Sequence, residues 1–226
     1  MSAENELTKE GIKAVVDTAK GFLEKLVGPP LEELGGLLAD QVRFYRFKNQ
    51  VKILLKAHKF LGEAGINPRR VSLKTLVPIL EEGALEEDES MSDRWASLLA
   101  TAADPNSKIS VQPSFPEVLK ELSPKEALII DKIFDMVISL PIPREEWSFR
   151  GAVGDSIKQV FHLSDEEFEI AIDNLYRLRL CSAPSIKLGF IDRPEQKFQL
   201  QMKDIICLTD FGFAFVSACR RYKEKE

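Results

Sequence analysis

Apolar residues recur along this chain at steps of three and four, the period of an amphipathic helix. Ile12, Val15, Val16, Ala19, Phe22, Leu23 and Leu26 draw one stripe, which predicts a helix from about Thr8 to Val27. Gly28-Pro29-Pro30 ends it, because glycine takes the left-handed terminal conformation and proline cannot continue a helix. A second long helical segment is predicted from Leu31 to Leu61, weakened at its start by Gly35-Gly36. Its apolar face reads Phe44, Phe47, Val51, Leu54, His58 and Leu61, with Lys48, Lys52, Lys56 and Lys59 on an adjacent face. A short helix follows around Leu73–Glu82, with Pro78 demanding a kink or a late start.

The next helix carries Met91, Trp95, Leu98, Leu99 and Ala102 on one face and ends at Asp104-Pro105-Asn106. Ser90, with Asp93 three positions later, reads as its capping box. Pro105, Pro113 and Pro116, interspersed with Asn106, Ser107 and Ser114, mark a domain boundary. The expected division is a helical domain over 1–110 and a second domain over 111–226.

Beyond the boundary, Pro116–Leu122 predicts a short helix. Ser123-Pro124-Lys125-Glu126 then opens another that reaches about Ile138, combining an N-cap, a first-turn proline and a glutamate at the third helical position. Arg144–Phe161 reads as a helix despite Gly151 and Gly154. Ser164-Asp165-Glu166-Glu167 opens the next, whose face is Phe168, Ile172, Leu175 and Leu178. Ser185–Ile191 and Lys197–Lys203 read as two strands around Asp192-Arg193-Pro194-Glu195, with Ile205–Leu208 a third. Thr209 caps a last helix containing Phe211, Phe215 and Cys219. Three helices, a hairpin and a closing helix are the layout of a winged helix-turn-helix. The expected fold class is mainly α, an N-terminal helical bundle followed by a winged-helix-like α+β domain with a small hairpin.

Composition narrows the function. The chain has 226 residues, 31 basic against 36 acidic, for a net charge of −5. An overall acidic chain is not the usual nucleic-acid binder. The third helix of the winged layout would meet DNA with Asp165, Glu166, Glu167 and Glu169 leading, and phosphates repel carboxylates. No apolar run reaches membrane-spanning length, and Met1–Glu10 lacks the basic start and apolar run of a signal peptide, so a cytoplasmic protein is expected. Cys181, Cys207 and Cys219, scattered among apolar neighbours, read as buried reduced thiols.

Catalytic chemistry does not stand out. Asp210-Phe211-Gly212 spells the kinase metal-binding triplet, but no Gly-rich loop or His-Arg-Asp loop accompanies it, and a helix-capping role is expected instead. His58 and His162 show no metal-ligand spacing. The expectation is a non-enzyme with no catalytic, cofactor-binding or metal residues and no small-molecule substrate. The strongest interaction candidates are the Lys48, Lys52, Lys56 and Lys59 stripe and the acidic run holding Glu86, Glu87, Asp88 and Glu89. Gln41 to Gly62 holds Arg43, Arg46 and those four lysines and no acid, so the stripe suits phosphates, anionic lipid or an acidic protein face, the acidic run among them. A protein partner or self-association is expected, and a membrane surface stays open through the first two amphipathic helices.

Four stretches resemble one family. They are Gly28–Asp40 with the basic Arg43–Lys59 helix, Pro78–Asp88, Trp95–Pro105, and Phe115–Ala127 around Leu122-Ser123-Pro124-Lys125-Glu126. Together they resemble the bacterial abortive-infection alpha family over roughly residues 20–220. The resemblance implies a phage-defence protein, in which an infected cell stops growing or dies before phage matures, and it carries over no catalytic residues. The alternatives are a winged-helix nucleic-acid-binding regulator and a membrane-acting effector built on the N-terminal helices.

Overall fold

The computed structural model describes residues 9–27, 41–141, 143, 151–184 and 205–220. The chain is mainly helical with a small three-stranded antiparallel sheet. By contacts it divides into one unit of residues 1–121 with 217–226 and a second of 122–216.

The first unit is built on α4 (Glu89–Ala103). Every residue from Arg94 to Ala103 is buried, so this helix is enclosed on all sides rather than presenting one apolar stripe. It packs on α2 (Gln41–Glu63) and α3 (Leu73–Gly83), while α1 (Lys9–Val27) lies on α2 and α5 (Phe115–Lys120) on α3. Trp95, Phe22, Phe115, Leu26, Ile53 and Met91 are among the largest fully buried side chains here. Each contributes about 1.5–3 kcal/mol by leaving water. The end of α9 (Asp210–Arg220) returns to this unit, where Ser97 and Thr101 donate their hydroxyls to the Ala218 carbonyl at 3.3 and 2.9 Å.

Two local readings are corrected here. Among the described side chains of α2 the buried ones are Asn49, Ile53, Leu54, Ala57, Phe60 and Leu61, whereas Phe47 and Val51 are half-buried and His58 is exposed; the side chain of Phe44 lies outside the described ones. Several helices cover α2, so its buried arc is wider than one stripe and turned toward α4; His58 sits at the α1 edge, its ring 5.1 Å from that of Phe22. The cap of α4 is Asp88 rather than Ser90, since Asp88 Oδ1 accepts from the Met91 amide at 3.0 Å. Ser90 falls inside the first turn, and Asp93 is drawn to a lysine of α2 instead.

The second unit opens with α6 (Pro124–Ile138), started by a full capping box between Ser123 and Glu126. After it come β1 (Ala152–Val153), α7 (Gly154–Phe161), α8 (Asp165–Arg177), β2 (Cys181–Ser182), β3 (Ile205–Leu208) and the start of α9. The sheet order is β1-β3-β2, both pairs antiparallel, with Ala152 opposite Ile206 and Cys181 opposite Leu208. α6 packs on β1, β3, α7 and α8. A second capping box, Ser164 with Glu167, starts α8, which buries Ala171, Ile172 and Leu175.

Within the helix expected over Arg144–Phe161, Ala152–Val153 is a strand and α7 follows from Gly154. Gly151 explains the change: a Cβ there would lie 2.0 Å from the Ile206 carbonyl oxygen, so glycine lets this segment close on β3. Residues 144–150 lie outside the described residues, as do the strands expected over Ser185–Ile191 and Lys197–Lys203. The strand at Ile205–Leu208 is present, and β2 had no signal in the sequence. α5 packs on α3, which places it with the first unit; the contact division falls between Glu121 and Leu122, compared with 110/111 from the proline-rich stretch.

Candidate interaction surface

The lysine stripe and the acidic run meet each other. α2 and α4 pack side by side, which sets Lys52 and Lys56, one turn apart on α2, against the first turns of α4. Lys52 Nζ binds Glu89, and Lys56 Nζ binds both Glu89 and Asp93 at 2.5 Å, with Ser92 Oγ at 3.5 Å. The two lysines hold the Glu89 carboxyl below its usual range, Lys52 most and then Lys56. Most of these groups keep contact with water, so each pair contributes only about 0.2–1 kcal/mol. Their value lies in register: they fix which turn of α2 faces which turn of α4.

The other candidates serve differently. Lys59 pairs with Glu63 on its own helix at 3.6 Å, and Lys48 is exposed. Asp88 caps α4, and Glu86 Oε1 accepts from the Asp88 amide at 2.9 Å, so both carboxylates serve the helix start. Glu87 is exposed. Of the eight candidates, only Lys52, Lys56 and Glu89 form one cluster.

Asn49 escaped the sequence reading. It is buried, and its Nδ2 donates to the carbonyls of Ala84 at 3.0 Å and Glu86 at 3.1 Å. It therefore ties α2 to the α3–α4 turn that presents Glu89. The available signal was an asparagine one turn before Ile53, in line with the apolar face of the helix, whereas Gln50 beside it lies off that line. Lys120 was also passed over; it joins Glu82 of α3 at 3.4 Å and Glu117 at 2.5 Å, and Glu117 does most to raise its pKa.

In the second unit the acidic start of α8 is partly spent. Lys158 of α7 binds Asp165 at 2.8 Å and Asp155 at 2.9 Å, which raises the lysine and lowers Asp165. Glu167 accepts from the Ser164 amide, the largest cause of its lowered pKa, and pairs with Lys125 at 3.2 Å. Glu166, Glu169 and Asp173 are exposed and form no ion pair with another described residue. Between them sits Ile170, 63% exposed.

Residues with catalytic overtones have structural roles. Thr209 Oγ1 accepts from the Gly212 amide at 2.8 Å and donates to the Arg179 carbonyl at 2.6 Å, capping α9. A Cβ at Gly212 would lie 2.0 Å from the Leu180 carbonyl oxygen, so the glycine of Asp210-Phe211-Gly212 allows α9 to close on the chain after α8. Cys181, Cys207 and Cys219 are buried and unbridged. Burial pushes the Cys181 thiol far up and Cys207 up to about 11, and it carries the half-buried Tyr176 to about 12. Among the described residues no group of three His, Cys, Asp or Glu could hold a metal ion, and no helix is long and apolar enough to cross a membrane.

A family model described as abortive infection alpha matches residues 48–219, from the lysine stripe of α2 to the end of α9. The Gly28–Asp40 stretch lies outside this match. No curated protein and no solved structure matches the chain.

Proposed function

The chain belongs to the abortive infection alpha family, and from that premise we propose that it is a cytoplasmic bacterial defence protein that limits phage by protein contact rather than by catalysis. The family match carries the defence role. The contact mechanism draws its support from the surfaces: charged and apolar side chains stand exposed on α2 and α8, while Lys52, Lys56, Asp88 and Thr209 are taken up by ion pairs and caps.

Two other readings gain less. The α6–α7–α8 helices with their three-stranded sheet suit a winged helix, but the exposed face of α8 carries Glu166, Glu169 and Asp173, which oppose a phosphate backbone. A membrane role for α1 competes with its packing, since Ala19, Phe22 and Leu26 are buried.

Phage plating and culture survival test the proposal, with the protein at native level and infection at low and high multiplicity. Protection at low multiplicity with culture collapse at high multiplicity is expected. Survival of individually infected cells would overturn the abortive reading. A point variant that abolishes catalysis of some substrate together with protection would overturn the contact mechanism.

A further inference from the structure

On α8, Glu166, Glu169, Ile170, Asp173 and Arg177 fall within an arc of about 100° at 100° per residue. All five are exposed. Arg177 is engaged by Asn174, its Nε and Nη2 donating to Asn174 Oδ1 at 3.0 and 2.7 Å. The remaining four make an exposed apolar side chain flanked by three carboxylates without an ion-pair partner among the described residues. Ile170 is the most exposed of the large apolar side chains described.

The first described turns of α2 present the inverse pattern. Tyr45, 41% exposed, stands beside exposed Arg46 and Lys48, and neither cation pairs with another described residue. Lys52 and Lys56, farther along, are neutralised by Glu89 and Asp93, so among the described residues of this helix the positive charge without an ion-pair partner lies at this end. One face is apolar within acid, the other aromatic within base. Tyr45 to Lys48 and Ile170 to Asp173 are each a three-residue step, about 4.5 Å along a helix, so two such helices can set Ile170 on Tyr45 with Asp173 beside Lys48.

We propose that the chain self-associates head to tail, the α8 face of one copy docking on the start of α2 of a second copy. The two patches differ, so the contact is heterologous, and a pair of copies keeps one free α8 face and one free α2 face, one on each copy. Such a contact closes into a ring or grows as a filament rather than stopping at a two-fold dimer. The patch is small, so the association is weak, and its charges make it salt-sensitive. Association is a property of the purified chain and is measured without phage, so its failure leaves the defence reading standing.

Sedimentation velocity of the full chain over a concentration series tests this, at about 50 mM and about 500 mM salt. Growth of the mean mass with concentration is expected at low salt, weakened at least tenfold at high salt. A chain that remains monomeric at low salt, or whose association ignores salt, overturns the proposal. Reversing α8 (Glu166→Lys, Glu169→Lys, Asp173→Lys) or α2 (Arg46→Glu, Lys48→Glu) should abolish association of each variant alone. Mixing the two should restore it, because every contact across the mixture again joins opposite charges. Failure of the mixture to associate, with both variants melting like the parent by circular dichroism, overturns the pairing. Ile170→Asp should weaken association at least tenfold, and undiminished association would also overturn it. A protein that stays monomeric yet binds a synthetic Lys/Arg peptide bearing one tyrosine would assign the α8 face to a foreign basic partner instead.

Discussion

Thr101 on α4 donates its hydroxyl to the carbonyl of Ala218 on α9 at 2.9 Å, across 117 positions of sequence. Ser97, one turn earlier, donates to the same oxygen at 3.3 Å. Both hydroxyls are buried, and this pairing spares them the cost of lying unpaired in a helix enclosed by apolar side chains. The end of the chain thus belongs to the unit formed by its beginning. Thr101→Val should cost about 1 kcal/mol, and Ser97→Ala with Thr101→Val more, because the Ala218 carbonyl then loses both donors. Denaturant unfolding measures it; an unchanged midpoint in the double variant would mean that the return of α9 rests on apolar packing alone.

Lys56 spans Glu89 and Asp93. A double-mutant cycle of Lys56→Met with Asp93→Asn should give a coupling of about 0.5–1 kcal/mol at low salt, because these groups are less exposed than a typical surface pair. Coupling that persists unchanged in high salt would contradict an ionic origin.

The Glu89 pair gives stability a pH dependence. The folded pKa of Glu89 lies below the ordinary 4.5, so the folded state favours the ionised form. Its contribution is complete above that ordinary value and disappears as pH falls through the lowered folded one. Thermal midpoints of the parent and Glu89→Gln should therefore differ most near neutrality and converge as the pH falls through the lowered folded pKa. A gap that widens on acidification would reverse the sign and defeat the argument.

Gly212→Ala should be far more damaging than Asp210→Ala. The alanine Cβ would collide with the Leu180 carbonyl oxygen, and backbone has no rotamer with which to yield. A loss above about 2 kcal/mol is expected, compared with under about 1 kcal/mol for removing an acid from the first turn of α9. Equal effects at the two positions, read by urea unfolding, would mean that the triplet serves something other than helix docking.

Cys181 and Cys207 should resist labelling. Burial holds Cys207 up to about 11 and Cys181 higher still, so neither supplies thiolate near about pH 8. With an aromatic disulfide reagent, the native protein should react at least a hundredfold more slowly than the urea-unfolded chain. Comparable rates would show that the β2–β3 pair opens readily.

Much of the local structure was legible in the chain. The period of three and four located α1, α4 and α8, and Ser123 with Glu126 and Ser164 with Glu167 marked two helix starts to the residue. Those signals are local: a cap, a glycine or an apolar repeat acts within one or two turns, so it can be read without knowing the fold. The family, too, was recognisable from short contiguous stretches. The same locality explains the failures. Ser90 with Asp93 had the spacing of a capping box, yet Asp93 pairs with Lys56, 37 positions earlier, and Asp88 holds the Met91 amide. Gly151 and Gly212 gave no sign of the carbonyls of Ile206 and Leu180 that press against them. The lysine stripe and the acidic run were both visible as charge, yet only the packing of α2 on α4 decided that Lys52 and Lys56 face Glu89 while Lys48 stays in solvent. Composition and spacing set which faces could form; contacts between residues distant in sequence set which of them are spent inside the fold and which remain for a partner, because burial and pairing depend on neighbours that no local pattern names.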